Sequence, residues 1–146
     1  MLRWRLSLNA AAMSSILFTL ALDERLRRHR LFFALALFAL ILVLGSIPGA
    51  RAEIGQFSPG VVLHSLAYSG LTFLLYTGGK GSRSHRAAKA VLIIAVMGAL
   101  DEFVQSFFPY RNATVTDWLV DCFASLLTAT LLWRFVPGPL APAEPQ

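Results

Sequence analysis

The 146-residue sequence is poor in charged side chains and has a single cysteine. Only 14% of its residues are Asp, Glu, Lys or Arg, whereas about 25% is usual in a soluble domain. Cys122 stands alone, so a disulfide within the chain is excluded. Zinc-type cysteine spacings and phosphate-binding glycine loops are also absent from the sequence. The low share of charged residues argues against a soluble globular domain.

Apolar residues are correspondingly frequent. They make up 56% of the chain, and the mean hydropathy is +0.62. A chain of this length has room for at most about four or five membrane crossings, which excludes a large transporter. The net charge of +5 comes from short basic blocks between apolar runs, a pattern typical of membrane topology and not of a nucleic-acid-binding face.

Four apolar runs, separated by proline, glycine and serine turn signals, predict membrane-spanning helices. The predicted spans cover residues 31–47, 61–77, 87–108 and 116–136. The predicted fold is therefore all-α, a polytopic membrane bundle of four transmembrane helices over residues 25–137. Residues 1–24 add an N-terminal helix, for which a leader, an interfacial helix and a fifth span all remain open. The tail, 138–146, is rich in proline and alanine and is predicted to be disordered.

The basic blocks predict how the spans are oriented. Lys and Arg concentrate before the first span, between the second and third, and after the fourth. By the positive-inside rule, both termini are expected in the cytoplasm, with the 48–60 and 109–115 loops outside a bacterial cytoplasmic membrane.

This topology places the polar residues of three spans at the same outer depth. Their spacings of three and four residues put them on common helix faces. Ionisable side chains inside a membrane are costly, and they commonly mark functional sites. Neighbouring carboxylates do not ionise together unless a cation is close. The predicted ligand-binding residues are His64, Tyr68, Asp101, Glu102, Gln105, Arg111, Asp117 and Asp121.

Structural explanations compete with this interpretation. His64 and Tyr68 are also suited to hydrogen bonds between packed spans. Asp117 is favourable simply because it starts the fourth helix, whereas Asp121 lies a full turn deeper. We expect Arg111 to pair with Glu102 or Asp117.

The run DEFVQSFFPYRNATVTDWLVD, together with HSLAY in the second span, resembles the VanZ-like family of bacterial membrane proteins. The similarity covers about residues 61–128 and rests on Glu102, Gln105, Pro109, Arg111 and Asp117. It implies a small integral membrane protein of the cell envelope, with a link to resistance against the glycopeptide teicoplanin.

Three function classes remain open at this point. The first is a protein that binds an amphiphilic or lipid-linked envelope ligand at its outer polar site. The second is an intramembrane enzyme acting on a lipid phosphate, and the third is a component of a proton or ion pathway. We predict a membrane lipid or lipid-linked molecule as partner, no nucleic acid and no metal site. The cofactor, the ligand and any homo-oligomeric assembly are not specified by the sequence.

Overall fold

The computed structural model describes residues 22–49, 60–111 and 114–136. A short 3-10 turn, Glu24–Leu26, leads into the first of four α-helices. The helices are α1 (Arg27–Ser46), α2 (Gly60–Gly78), α3 (Arg83–Gln105) and α4 (Val115–Phe135). The described residues contain no β-strand, so the all-α prediction is confirmed.

Local sequence signals explain where α3 and α4 begin. The hydroxyl of Ser82 accepts a hydrogen bond from the backbone N–H of His85, and that of Thr114 accepts one from Asp117. Both are the N-cap arrangement that satisfies a free N–H at a helix start.

The third helix ends at Gln105, three residues before the predicted end at 108. Pro109 disfavours helical geometry at the preceding residue, and the chain has already tightened into a turn there.

Three of these helical segments are long and apolar enough to cross a membrane: Glu24–Ser46, Gly60–Gly78 and Val115–Phe135. The predicted count of four spans is therefore supported only in part. The remaining helix, α3, carries basic residues in its first two turns and two acids near its end. Charged ends of this kind lower its average hydropathy, although its middle is as apolar as the other helices.

The outer surface of the bundle is apolar around all four helices. Large hydrophobic side chains that are more than half exposed include Phe32, Leu66, Leu92, Val96 and Phe123. A soluble monomer rarely exposes so continuous an apolar surface, and a lipid environment would cover it. The bundle thus has the surface expected of a membrane protein.

The helices run up and down, so α1 and α3 end where α2 and α4 begin. We call this the upper end of the bundle and the opposite one the lower end. Helix α4 packs along both α2 and α3, and α1 packs mainly on α2. Small buried side chains on α4, Ala124, Ser125 and Ala129, allow the close approach that is typical of membrane helices. The Thr128 hydroxyl donates to Ser69 Oγ across this contact (3.0 Å).

Most of the two chain ends lies outside the residues that the structure describes. Of the predicted leader, 1–24, all but the last three residues lie outside the described part of the chain, as does the predicted disordered tail, 138–146. Those two predictions remain untested.

Packing at the lower end of α2 generates a prediction. A Cβ on Gly78 would lie 2.8 Å from Leu31 Cδ2 and 3.3 Å from the Arg27 carbonyl oxygen, whereas one on Gly70 would meet nothing within 4 Å. We expect Gly78→Ala to push α1 away and to lower the free energy of unfolding by about 1–3 kcal/mol. Thermal unfolding in detergent measures the change. Gly70→Ala, on the same helix, is the control and should keep or raise the stability; equal melting temperatures would contradict the packing.

Candidate functional site

The polar residues predicted from the sequence gather at the upper end of the bundle. Three of them, Tyr68, Asp101 and Asp121, are at most 1% exposed. Two carboxylates are therefore buried among apolar helices, where each needs a partner within the protein. We call the eight predicted residues the polar cluster.

Helix α2 supplies the partner for Asp121. The Nδ1 atom of His64 lies 2.9 Å from Asp121 Oδ1, which joins α2 to α4. The imidazole ring is nearly parallel to the Tyr68 ring one turn below it, with 6.0 Å between the ring centroids. The carboxylate and this stacking together orient His64 in a single direction.

Helix α2 also supplies a partner for Asp101, which joins it to α3. The Tyr68 hydroxyl donates to Asp101 Oδ2 at 3.3 Å. The other oxygen, Oδ1, is buried and has no hydrogen-bond partner among the described residues. It lies 3.8 Å from the position that a Cβ on Gly45 would occupy. One carboxylate oxygen of Asp101 therefore takes part in the contact between α2 and α3, and the other faces α1.

Gln105 and Arg111 complete this part of the cluster. The Arg111 Nη2 atom donates to Gln105 Oε1 at 2.8 Å, a partner that the sequence analysis did not name. Both side chains also approach Gly45, whose absent Cβ would stand 3.6 Å from Arg111 Nη2 and 3.9 Å from Gln105 Nε2. A cation, an amide and a carboxylate oxygen thus face the same point on α1.

The remaining two acids have a different setting. Glu102 Oε2 accepts a 2.6 Å hydrogen bond from the backbone N–H of Thr114, the residue that caps α4. Asp117 lies in the first turn of α4, where a negative charge is favoured by the helix dipole. These two residues shape the turn between α3 and α4 and do not line the cavity described next.

A cavity of about 230 Å³ opens between α1, α2 and α3 at the upper end. Five members of the polar cluster line it: His64, Tyr68, Asp101, Gln105 and Arg111. The rest of its wall comes from apolar side chains and two glycines, namely Ile41, Leu44, Gly45, Gly60, Leu63 and Ala67.

The contribution of α1 to this cavity was missed by the sequence analysis. Helix α1 carries no ionisable side chain in its upper half, so a search for polar residues passes over it. The available signal was Gly45, a glycine inside an apolar helix, which commonly marks the close approach of another group.

The site combines a short apolar wall with fixed polar groups of both charges. A His held by a carboxylate is the arrangement that orients a general base. The described residues that line the cavity include no Ser, Thr or Cys side chain to act as nucleophile. Within the described part of the chain, no three His, Cys, Asp or Glu residues stand close enough together to hold a metal ion.

Comparison of this chain with protein-family models, with curated proteins and with solved structures gives no match.

The contact between His64 and Asp121 generates a prediction. His64→Phe retains a ring beside Tyr68 but leaves Asp121 without its imidazole partner. We expect a loss of about 3 kcal/mol in the free energy of unfolding, as is usual when one member of a buried pair is removed. In an Asp121→Asn background, the same change should cost only about 1 kcal/mol.

Thermal or denaturant unfolding in detergent measures all four proteins of this cycle. An equal cost of His64→Phe in both backgrounds would show that the two side chains do not interact.

Proposed function

We propose that this chain binds an amphiphilic or lipid-linked molecule of the bacterial cell envelope in the upper cavity. One observation carries the proposal: five polar-cluster side chains and an apolar wall line the same cavity, which opens between membrane-type helices. Ligand sites are commonly apolar clefts with a few convergent polar groups. A molecule with an acyl or prenyl chain and a polar head matches both parts of such a site.

The residues have distinct roles in this proposal. Ile41, Leu44 and Leu63 contact the apolar part of the ligand. Arg111 binds an anionic group of the head, because its planar guanidinium suits phosphate and carboxylate. When the ligand binds, the hydrogen bond between Arg111 and Gln105 either breaks or is kept. If it is kept, the Gln105 side chain is a second group in contact with the head.

Binding is favoured over catalysis by the composition of the wall. The His64–Asp121 pair would serve an enzyme as an oriented base, yet the described lining residues include no Ser, Thr or Cys side chain for it to activate. Release of phosphate from added phospholipid by the purified protein, lost in the Asp121→Asn variant, would replace the binding proposal with a hydrolase.

We place the protein in the bacterial cytoplasmic membrane as a VanZ-like protein, with a link to glycopeptide susceptibility. The support is the spacing of Glu102, Gln105, Arg111 and Asp117 in the sequence. In this arrangement α3 also crosses the membrane, which makes four crossings. The upper end faces outward, and both termini are cytoplasmic. Exposed apolar side chains along the middle of α3, such as Leu92 and Val96, support a lipid-facing surface there.

The topology generates a prediction that isolates α3. In a Cys122→Ala background, single cysteines at Phe107 and Lys80, both exposed positions at opposite ends of α3, report the two sides. We expect a membrane-impermeant maleimide to label Phe107→Cys in intact cells and Lys80→Cys only after permeabilisation, because a crossing helix separates them. Labelling of both in intact cells would mean that α3 does not cross.

The cavity generates a second prediction. Gly45→Leu places a side chain in the cavity without removing a polar group, and Gly70→Leu adds the same side chain where nothing lies within 4 Å of its Cβ. Mass spectrometry of co-purified lipids should show at least about a tenfold loss of bound amphiphile for Gly45→Leu, as expected when more than about 1.4 kcal/mol of binding is removed. Gly70→Leu should retain it.

A strain lacking the gene and complemented with each variant provides the cellular test. Arg111→Ala should reproduce the loss of bound amphiphile and any change in susceptibility to cell-wall antibiotics, while Arg134→Ala, an exposed position at the lower end, should not. Wild-type lipid content and susceptibility in both Gly45→Leu and Arg111→Ala would overturn the proposal.

A further inference from the structure

Two arginines are buried at the lower end of the bundle, far from the polar cluster. Arg30 on α1 and Arg86 on α3 are each only 7% exposed. Guanidinium groups remain charged inside proteins, and their burial is costly unless the donors are satisfied. Their surroundings therefore need an explanation.

The two side chains lie at the same depth. Arg30 stands fifteen positions before Gly45 on α1, and Arg86 stands fifteen positions before Asp101 on α3. Gly45 and Asp101 are neighbours at the upper end, and α1 and α3 run in the same direction. Fifteen residues correspond to about 22 Å of helix, so both arginines reach the opposite end of the bundle together.

Both arginines contact the last turn of α2. The Arg30 Nη2 atom donates to the carbonyl oxygens of Asp23 (2.9 Å) and Thr77 (3.1 Å). The Arg86 guanidinium lies over the Tyr76 ring, with Cζ 4.6 Å from the ring centroid. The side chains thus approach neighbouring positions at the end of the same helix.

Two of the three nitrogen atoms of each guanidinium take no part in these contacts. The Nε and Nη1 atoms of Arg30 and the Nε and Nη2 atoms of Arg86 are buried, and none has a hydrogen-bond partner in the described part of the chain. Neither arginine forms an ion pair with a described residue, although Arg27 on the same helix as Arg30 pairs with Glu24 (3.6 Å). Asp23 and Glu24 are near enough to Arg30 to act on its charge, but no described carboxylate accepts a hydrogen bond from these four buried nitrogens. Positively charged donors of this kind are suited to an oxyanion.

We propose that Arg30 and Arg86 form a binding site for a phosphate group, supplied by the headgroup of an anionic phospholipid in the leaflet around the lower end. A phosphate oxygen can accept from two N–H groups of one guanidinium at once, so one headgroup could satisfy donors of both arginines. Two exposed basic residues between α2 and the first turn of α3, Lys80 and Arg83, lie at the same end and attract anionic lipid. The proposal does not depend on the function proposed for the upper cavity.

The experiment uses the full chain in detergent micelles and native mass spectrometry. The probes are phosphatidylglycerol, phosphatidylcholine and inorganic phosphate. Arg30→Gln/Arg86→Gln removes the proposed site, and Arg28→Gln/Lys89→Gln removes the same charge from exposed positions on the same two helices.

We expect phosphatidylglycerol to bind the wild-type protein in preference to phosphatidylcholine. The buried double variant should bind it at least about tenfold more weakly, the effect of losing one or more charge-assisted hydrogen bonds. The exposed double variant should stay within about twofold of wild type, as expected for solvated surface charges. Displacement by an equal concentration of inorganic phosphate would assign the site to a free anion and overturn the lipid source.

A purely structural role for the arginines gives a different result. In that case, the buried double variant would lose thermal stability to the same extent with and without phosphatidylglycerol, and it would bind the lipid as the exposed variant does. That outcome would overturn the proposal. Arg30→Lys/Arg86→Lys keeps the charge and covers the case in which the glutamine variant does not fold. Because lysine lacks the bidentate geometry of arginine, we expect the lysine variant to bind phosphatidylglycerol measurably but more weakly than wild type.

Discussion

The packing of the bundle depends on two buried carboxylates, which need hydrogen-bond partners within the protein because lipid cannot solvate them. Asp101 and Asp121 belong to different helices, and both are almost completely buried. Their partners, Tyr68 and His64, lie one turn apart on α2. Because side chains four residues apart share a helix face, these two contacts fix α2 against α3 and α4 at a single depth. The apolar contacts elsewhere can be satisfied by many arrangements, whereas these polar contacts can be satisfied by few.

Two further polar contacts hold the turn between α3 and α4 and position it beside the cavity. Glu102 accepts from the backbone of Thr114, and the Tyr110 hydroxyl donates to the carbonyl oxygen of Ser46 at the end of α1 (2.6 Å). The turn is thereby held to the last residue of α1 and to the start of α4. Arg111 follows Tyr110 directly, so this anchoring sets where its guanidinium stands over the cavity.

The polar cluster could be predicted from the sequence because residue spacing and topology suffice to bring its members together. Residues at intervals of three and four, on helices with alternating direction, must meet at one end, and the structure brings His64 to Asp121 and Tyr68 to Asp101. Two features were not predicted. The role of Gly45 depends on the absence of a side chain, and the partner of Arg111 depends on the path of a turn that spacing alone does not determine. That α3 also crosses the membrane remains a proposal, because the charges at its two ends offset its apolar middle in the average hydropathy.

Trp118 gives the protein a feature of a different kind. Its indole N–H donates to the carbonyl oxygen of Ala95 on α3 at 2.9 Å, and its Cδ1 atom and Asp121 Oδ2 would both lie 3.1 Å from a Cβ on Gly98. The ring is thus wedged between two helices, beside one of the buried carboxylates. Indole emission responds to the polarity and charge around the ring. Once Trp4 and Trp133, the other two tryptophans of the chain, are replaced, Trp118 is an intrinsic optical probe placed where a change in the state of Asp121 would alter its fluorescence.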